Sequence, residues 1–161
     1  MSDNRAPVRA SPRRLAREFV LQGLYQRQLS GNSLSMIREQ IAEVAGFARA
    51  DQPYFDELWK GVGADFDAQV RACEQYLDRQ AEGLSPIERA ILAIGAWELA
   101  NRLEIPYRVV INEAVELAKS YGGTDGHKFV NGVLDRLAAD VRAAEIAATA
   151  AQAAGGVSDA A

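Results

Sequence analysis

Three arginines, Arg13, Arg14 and Arg17, stand at three- and four-residue spacing directly behind Ser11-Pro12. Serine as N-cap with proline at the first helical position marks a helix start, so the spacing puts the guanidinium groups on one side of the opening turns. Cations there oppose the helix macrodipole, at about 0.3–1 kcal/mol each when exposed. Two more arginines, Arg5 and Arg9, precede them. Such a concentration suits a polyanion, because guanidinium forks fit phosphate oxygens and neutralising a phosphate backbone releases counterions. A solvated face partnered by acids of the body is the competing account.

A second group is His127-Lys128-Phe129, which falls in the first turn of another helix just behind a glycine-bearing loop. Phe129 lies about 100° around that helix from Val130, at the margin of the apolar stripe. An aromatic ring there, beside a lysine, could stack an unpaired base while the lysine meets a phosphate. It could equally be a core phenylalanine, and the pattern leaves both readings open.

Catalytic or metal chemistry finds no comparable grouping. His127 and Cys73 are the only residues of their types and belong to separate helices, so they make no metal site between them. The glycines at 61, 63, 122 and 123 follow no strand and fit helix ends and turns rather than a phosphate loop. Glu113 and Glu116 sit within a helix, where Glu116 can pair with Lys119 three residues on. The chain therefore reads as a binding protein rather than an enzyme, with no cofactor and no metal.

Composition agrees. The net charge of −4 argues against indiscriminate nucleic-acid binding, but it conceals an asymmetry. Residues 1–17 carry five arginines against one acid, whereas residues 39–82 carry ten acids against four bases. A basic end on an acidic body confines a polyanion to one region. The single cysteine allows no internal disulfide and fits a reducing compartment. No apolar run reaches the roughly 20 residues that span a bilayer, and the N-terminus lacks a signal-like apolar core, so cytoplasmic is expected.

The elements that must position these groups are helices throughout. The first carries Ala16, Phe19, Val20, Gly23 and Leu24 and ends near Gly31; the second presents Leu34, Ile37, Ile41 and Val44 and ends at Gly46. Asp51-Gln52-Pro53 opens a third, whose apolar pattern from Tyr54 to Leu77 would exceed the usual helix length, so a break is expected near Gly61-Val62-Gly63. Ser85-Pro86-Ile87-Glu88 combines an N-cap, a first-position proline and a capping-box glutamate. Pro106 forces a boundary before a helix bearing Val110, Ile111, Ala114, Leu117, Ala118 and Tyr121. The last strong helix begins near Thr124-Asp125 and buries Val130, Val133, Leu134 and Leu137. Residues 143–161 hold ten alanines and little to pack, which suggests a frayed or disordered tail. The expectation is an all-α, compact bundle of about six to seven helices, with an arm at 1–11, a domain at 12–142 and the tail at 143–161.

The run Ile105 to Lys119, the run Lys128-Phe129-Val130-Asn131-Gly132-Val133-Leu134, and the opening Arg13-Arg14-Leu15-Ala16-Arg17-Glu18 with Gln22-Gly23-Leu24-Tyr25-Gln26 closely resemble the NusB family of bacterial transcription antitermination factors. The likeness covers about residues 12–142 and rests on helical pattern alone between 31 and 84. Gly23 departs from the small alanine of the family pattern. The resemblance implies two packed helical sub-bundles and binding of the boxA element of nascent ribosomal RNA jointly with the small-subunit ribosomal protein NusE, within an RNA polymerase antitermination complex. It implies RNA contacts from Arg13, Arg14 and Arg17, with Asp125, Lys128 and Phe129 bordering the same RNA surface, and a NusE-facing role for Tyr25 and Glu88. The capping box alone would also explain Glu88. For the free chain, monomer and homodimer both stay open.

Overall fold

A computed structural model describes residues 10–77, 83–123 and 125–158. Among them the chain forms eight α-helices and no strand: α1 (Pro12–Ser30), α2 (Leu34–Ala42), α3 (Gln52–Ala64), α4 (Phe66–Glu74), α5 (Pro86–Asn101), α6 (Tyr107–Tyr121), α7 (Gly126–Val141) and α8 (Ala143–Ser158), with a 3-10 turn at Phe47–Arg49. The fold is all-helical as expected, with one or two more helices than expected. It divides into two compact units, Met1–Gly63 and Ala64–Ala161. Of the expected arm at 1–11, residues 1–9 lie outside the described residues.

In the first unit, α1 begins as its sequence dictates, the Ser11 side chain accepting from Arg14 N at 3.1 Å. It ends at Gly31, whose φ of 71° places it in the left-handed region that glycine enters without penalty. The core is an aromatic relay. Phe19 meets Phe47 edge-on at 5.4 Å, Phe47 meets Phe55 edge-on at 5.1 Å, and Phe55 stacks on Trp59 at 6.1 Å. Gly23 lets α1 approach the Trp59 ring, since a Cβ there would lie 2.7 Å from it. Trp59 is pinned in turn, its Nε1 donating to Leu34 O at 3.1 Å. The second helix is shorter than expected: it stops at Ala42, and Val44 is exposed. The intervening apolar duty passes to Phe47 in the 3-10 turn.

In the second unit, α5 is the centre. Its residues Ala90 to Ala96, with Glu98 and Leu99, are buried, and it packs against α4, α6 and α7. The capping box at its start is complete, Glu88 N donating to Ser85 Oγ at 3.1 Å and Ser85 N to Glu88 Oε1 at 3.4 Å. The break ahead of α4 falls at Asp65, two residues past the expected glycine pair.

The tail departs from expectation. Residues 143–158 form α8, a helix that follows α7 after Arg142. Alanine's helix propensity accounts for its regularity, and Arg142 and Glu145 anchor its start. The buried Arg142 guanidinium donates to Leu99 O at 2.7 Å, Ile105 O at 3.0 Å and Arg102 O at 3.0 Å, closing the carbonyl end of α5. Glu145 accepts from Tyr107 N at 3.0 Å, so the same junction caps the start of α6. No helix among the described residues is long and apolar enough to cross a membrane.

Candidate nucleic-acid interface

The arginine group belongs to the first unit. Arg13 is exposed, Arg14 is half-buried and Arg17 is buried, with 3% of its surface accessible. Tyr54 explains the difference. Its ring is buried in the first turn of α3 and lies 4.4 Å from the Arg13 guanidinium carbon and 5.4 Å from that of Arg17. Two features place the ring there: Tyr54 N donates to Asp51 Oδ1 at 3.0 Å, and Asp51 N donates to Pro12 O at 2.9 Å, tying α3 to the first turn of α1. Cation–π attraction then offsets the unfavourable position of these charges at a helix N-terminus. Arg17, expected to contact RNA, is buried, with its guanidinium beside the Tyr54 ring and the residue less accessible than the exposed Arg13. Sequence reasoning missed Tyr54, because only the fold sets it under residues some forty positions earlier.

The second group belongs to the second unit. Asp125 takes φ 64°, the one non-glycine residue with positive φ among those described, a conformation that aspartate tolerates better than most. The chain thereby turns sharply into α7, which begins at Gly126 rather than at Thr124-Asp125; Thr124 lies outside the described residues. Lys128 Nζ lies 3.4 Å from Asp125 Oδ1, and both side chains are largely exposed. Phe129 is half-buried at the edge of the apolar stripe, next to the fully buried Val130. Asp125, Lys128 and Phe129 therefore share one helix start, as their spacing requires.

Tyr25, at 37% exposure, offers its ring on α1 of the first unit, and the half-buried Glu88 sits in the capping box of α5 in the second. Cys73 is buried, and burial pushes its thiol up to about 12, so it carries no thiolate chemistry at neutral pH.

The NusB family model matches residues 14–139. The chain is 52% identical over 136 residues to the transcription antitermination protein NusB of Aromatoleum aromaticum, covering 84% of this chain and 94% of that protein. It is 53% identical over 137 residues to NusB of Nitrosomonas europaea, covering 83% and 80%. Among solved structures, T. maritima NusB superposes with a TM-score of 0.71 at 30% identity, covering 82% of this chain and 94% of that one. A chain of a crystal structure of antitermination factors NusB and NusE in complex with double-stranded RNA matches with a TM-score of 0.68 at 24% identity, covering 78% of this chain and 95% of that one, a likeness of fold.

Proposed function

The chain belongs to the NusB family, and on that premise we propose that it is a transcription antitermination factor that binds boxA RNA of nascent ribosomal RNA transcripts jointly with NusE. The pair joins an RNA polymerase complex and suppresses termination. The observation that carries the RNA reading is the exposed Arg13 guanidinium held 4.4 Å over the buried Tyr54 ring, a cation fixed at a site where an isolated helix would disfavour it. A preformed cation of this kind spends little side-chain freedom on meeting a phosphate. Arg14 adds a second charge on the same turns. Lys128 supplies a phosphate contact and Phe129 a stacking ring, with Asp125 fixing the geometry of that helix start.

Tyr25 and Glu88 are the residues through which the chain meets NusE. Tyrosine suits a partner surface because it combines apolar area with a hydroxyl. For Glu88 the capping box and the partner role separate in one substitution. Glu88→Gln keeps the box, since glutamine also accepts at that position, and removes the charge. Co-purification of full-length chain with tagged NusE tests the pairing: a stable complex is expected, weakened by Glu88→Gln at unchanged thermal stability. Failure of the wild-type chain to co-purify would sink the partner assignment.

A further inference from the structure

Within the second unit, between α6 and α7, lies an open groove of about 320 Å³ lined by Tyr107, Arg108, Ile111, Asn112, Asn131 and Asp135. That volume is at the small end of ligand pockets. Ile111 is buried and Tyr107 half-buried, while Arg108, Asn112, Asn131 and Asp135 are exposed. Arg108 and Asn112 are four apart on α6, and Asn131 and Asp135 four apart on α7, so each pair shares one helix face and the two faces meet at the groove. Arg108 Nε donates to the Tyr107 hydroxyl at 3.1 Å, with its guanidinium carbon 5.7 Å from the ring centroid. The Tyr107 hydroxyl and, more weakly, the Asp135 carboxylate raise the Arg108 pKa further above its ordinary value. Lys128 precedes Asn131 by three residues, so the α7 face of the groove continues from the helix start described above.

We propose that this groove holds one guanine nucleotide of a single-stranded RNA, the Asp135 carboxylate accepting from the N1–H and N2–H groups of the base and Arg108 meeting a flanking phosphate. The inference rests on the RNA-binding reading above and adds a base-specific site to it. The chemistry selects the base. A carboxylate only accepts, and the Watson–Crick edge of guanine alone presents two adjacent N–H donors to it. Uracil sets its one N–H between two carbonyl oxygens, which a carboxylate repels. Adenine and cytosine place one amino group beside a ring acceptor. The Asn112 and Asn131 carboxamides, each both donor and acceptor, can donate to guanine O6 from either wall. Single-stranded RNA exposes these edges, whereas duplexes hide them. An acidic peptide would satisfy Arg108 but meet repulsion from Asp135.

The test uses the full-length chain and a short fluorescein-labelled uridine strand with guanine at every third position, beside the same strand with inosine in place of guanine. Inosine keeps N1–H and O6 but lacks the N2 amine. Wild type is expected to bind the guanine strand about tenfold more tightly, the worth of one hydrogen bond to a charged group. Asp135→Asn should bring the two strands close to equal affinity with an unchanged circular dichroism spectrum. A wild-type ratio near one, or a ratio that survives Asp135→Asn, overturns the guanine site while RNA binding itself stands. Binding to neither strand at low salt overturns the RNA reading beneath it.

Discussion

Arg142 and Glu145 form an ion pair across the first turn of α8, with the arginine buried and the glutamate half-exposed. Each also serves a different helix: the guanidinium closes the end of α5, and the carboxylate caps α6 through Tyr107 N. One turn of chain thus fastens three helix ends.

That junction makes the stability pH-dependent. Partial burial alone would raise the Glu145 pKa, but the Tyr107 N–H and the Arg142 guanidinium outweigh it and hold the carboxyl below its ordinary value. A depressed folded-state pKa contributes stability above the unfolded value, lost as pH falls through the folded one. Glu145→Gln should therefore cost up to about 1 kcal/mol at neutral pH, in the range of exposed pairs. Thermal unfolding of both proteins across an acid series checks this; the difference should vanish at the acid end, and a constant difference would refute the linkage.

Arg13 and Arg17 should separate on two measurements. Arg13→Ala is expected to flatten the salt dependence of RNA binding by about one ion, with little change in stability. Arg17→Ala should lower stability by about 1–3 kcal/mol, since it removes packed stem and a buried guanidinium. Its salt slope should stay close to wild type. Equal flattening by both would show that Arg17 swings out to the ligand.

Gly23 is the complement of Trp59. Alanine at 23 improves helix propensity by about 1 kcal/mol on an exposed helix. Here its Cβ would meet the ring at 2.7 Å, and the Trp59 Nε1 hydrogen bond to Leu34 resists a shift. Gly23→Ala should therefore destabilise, by about 1–3 kcal/mol. Adding Trp59→Leu should recover part of that loss. Denaturant unfolding of the single and double variants measures the coupling, and simple additivity would contradict it.

Much of the fold was legible because helix ends are written locally. Ser11-Pro12, Gly31, Asp51 and Ser85 through Glu88 each fix a boundary through bonds within a few residues. Val44 and the tail misled for the opposite reason. Val44 continues an apolar spacing, but Phe47 in the 3-10 turn fills the core in its place. The alanine-rich tail shows no packing face, and its anchor, Glu145 on Tyr107 N, joins residues 38 positions apart. The arginine group was legible as chemistry, whereas the burial of Arg17 depends on Tyr54 arriving from α3.

Phe129 distinguishes stacking from packing. If its ring carries a base, Phe129→Ala should lower RNA affinity by roughly 1–3 kcal/mol while stability changes little. If the ring is core, stability falls and the affinity of the folded fraction is unchanged. Paired unfolding and binding curves on the same protein decide.

Joint recognition of a specific RNA is tested most directly by fluorescence anisotropy of labelled boxA RNA against the full-length chain, with and without NusE and beside a scrambled strand. Binding of boxA that tightens with NusE, exceeds that of the scrambled strand and weakens steeply with salt is the predicted result. Equal affinity for both strands, with NusE making no difference, would contradict it.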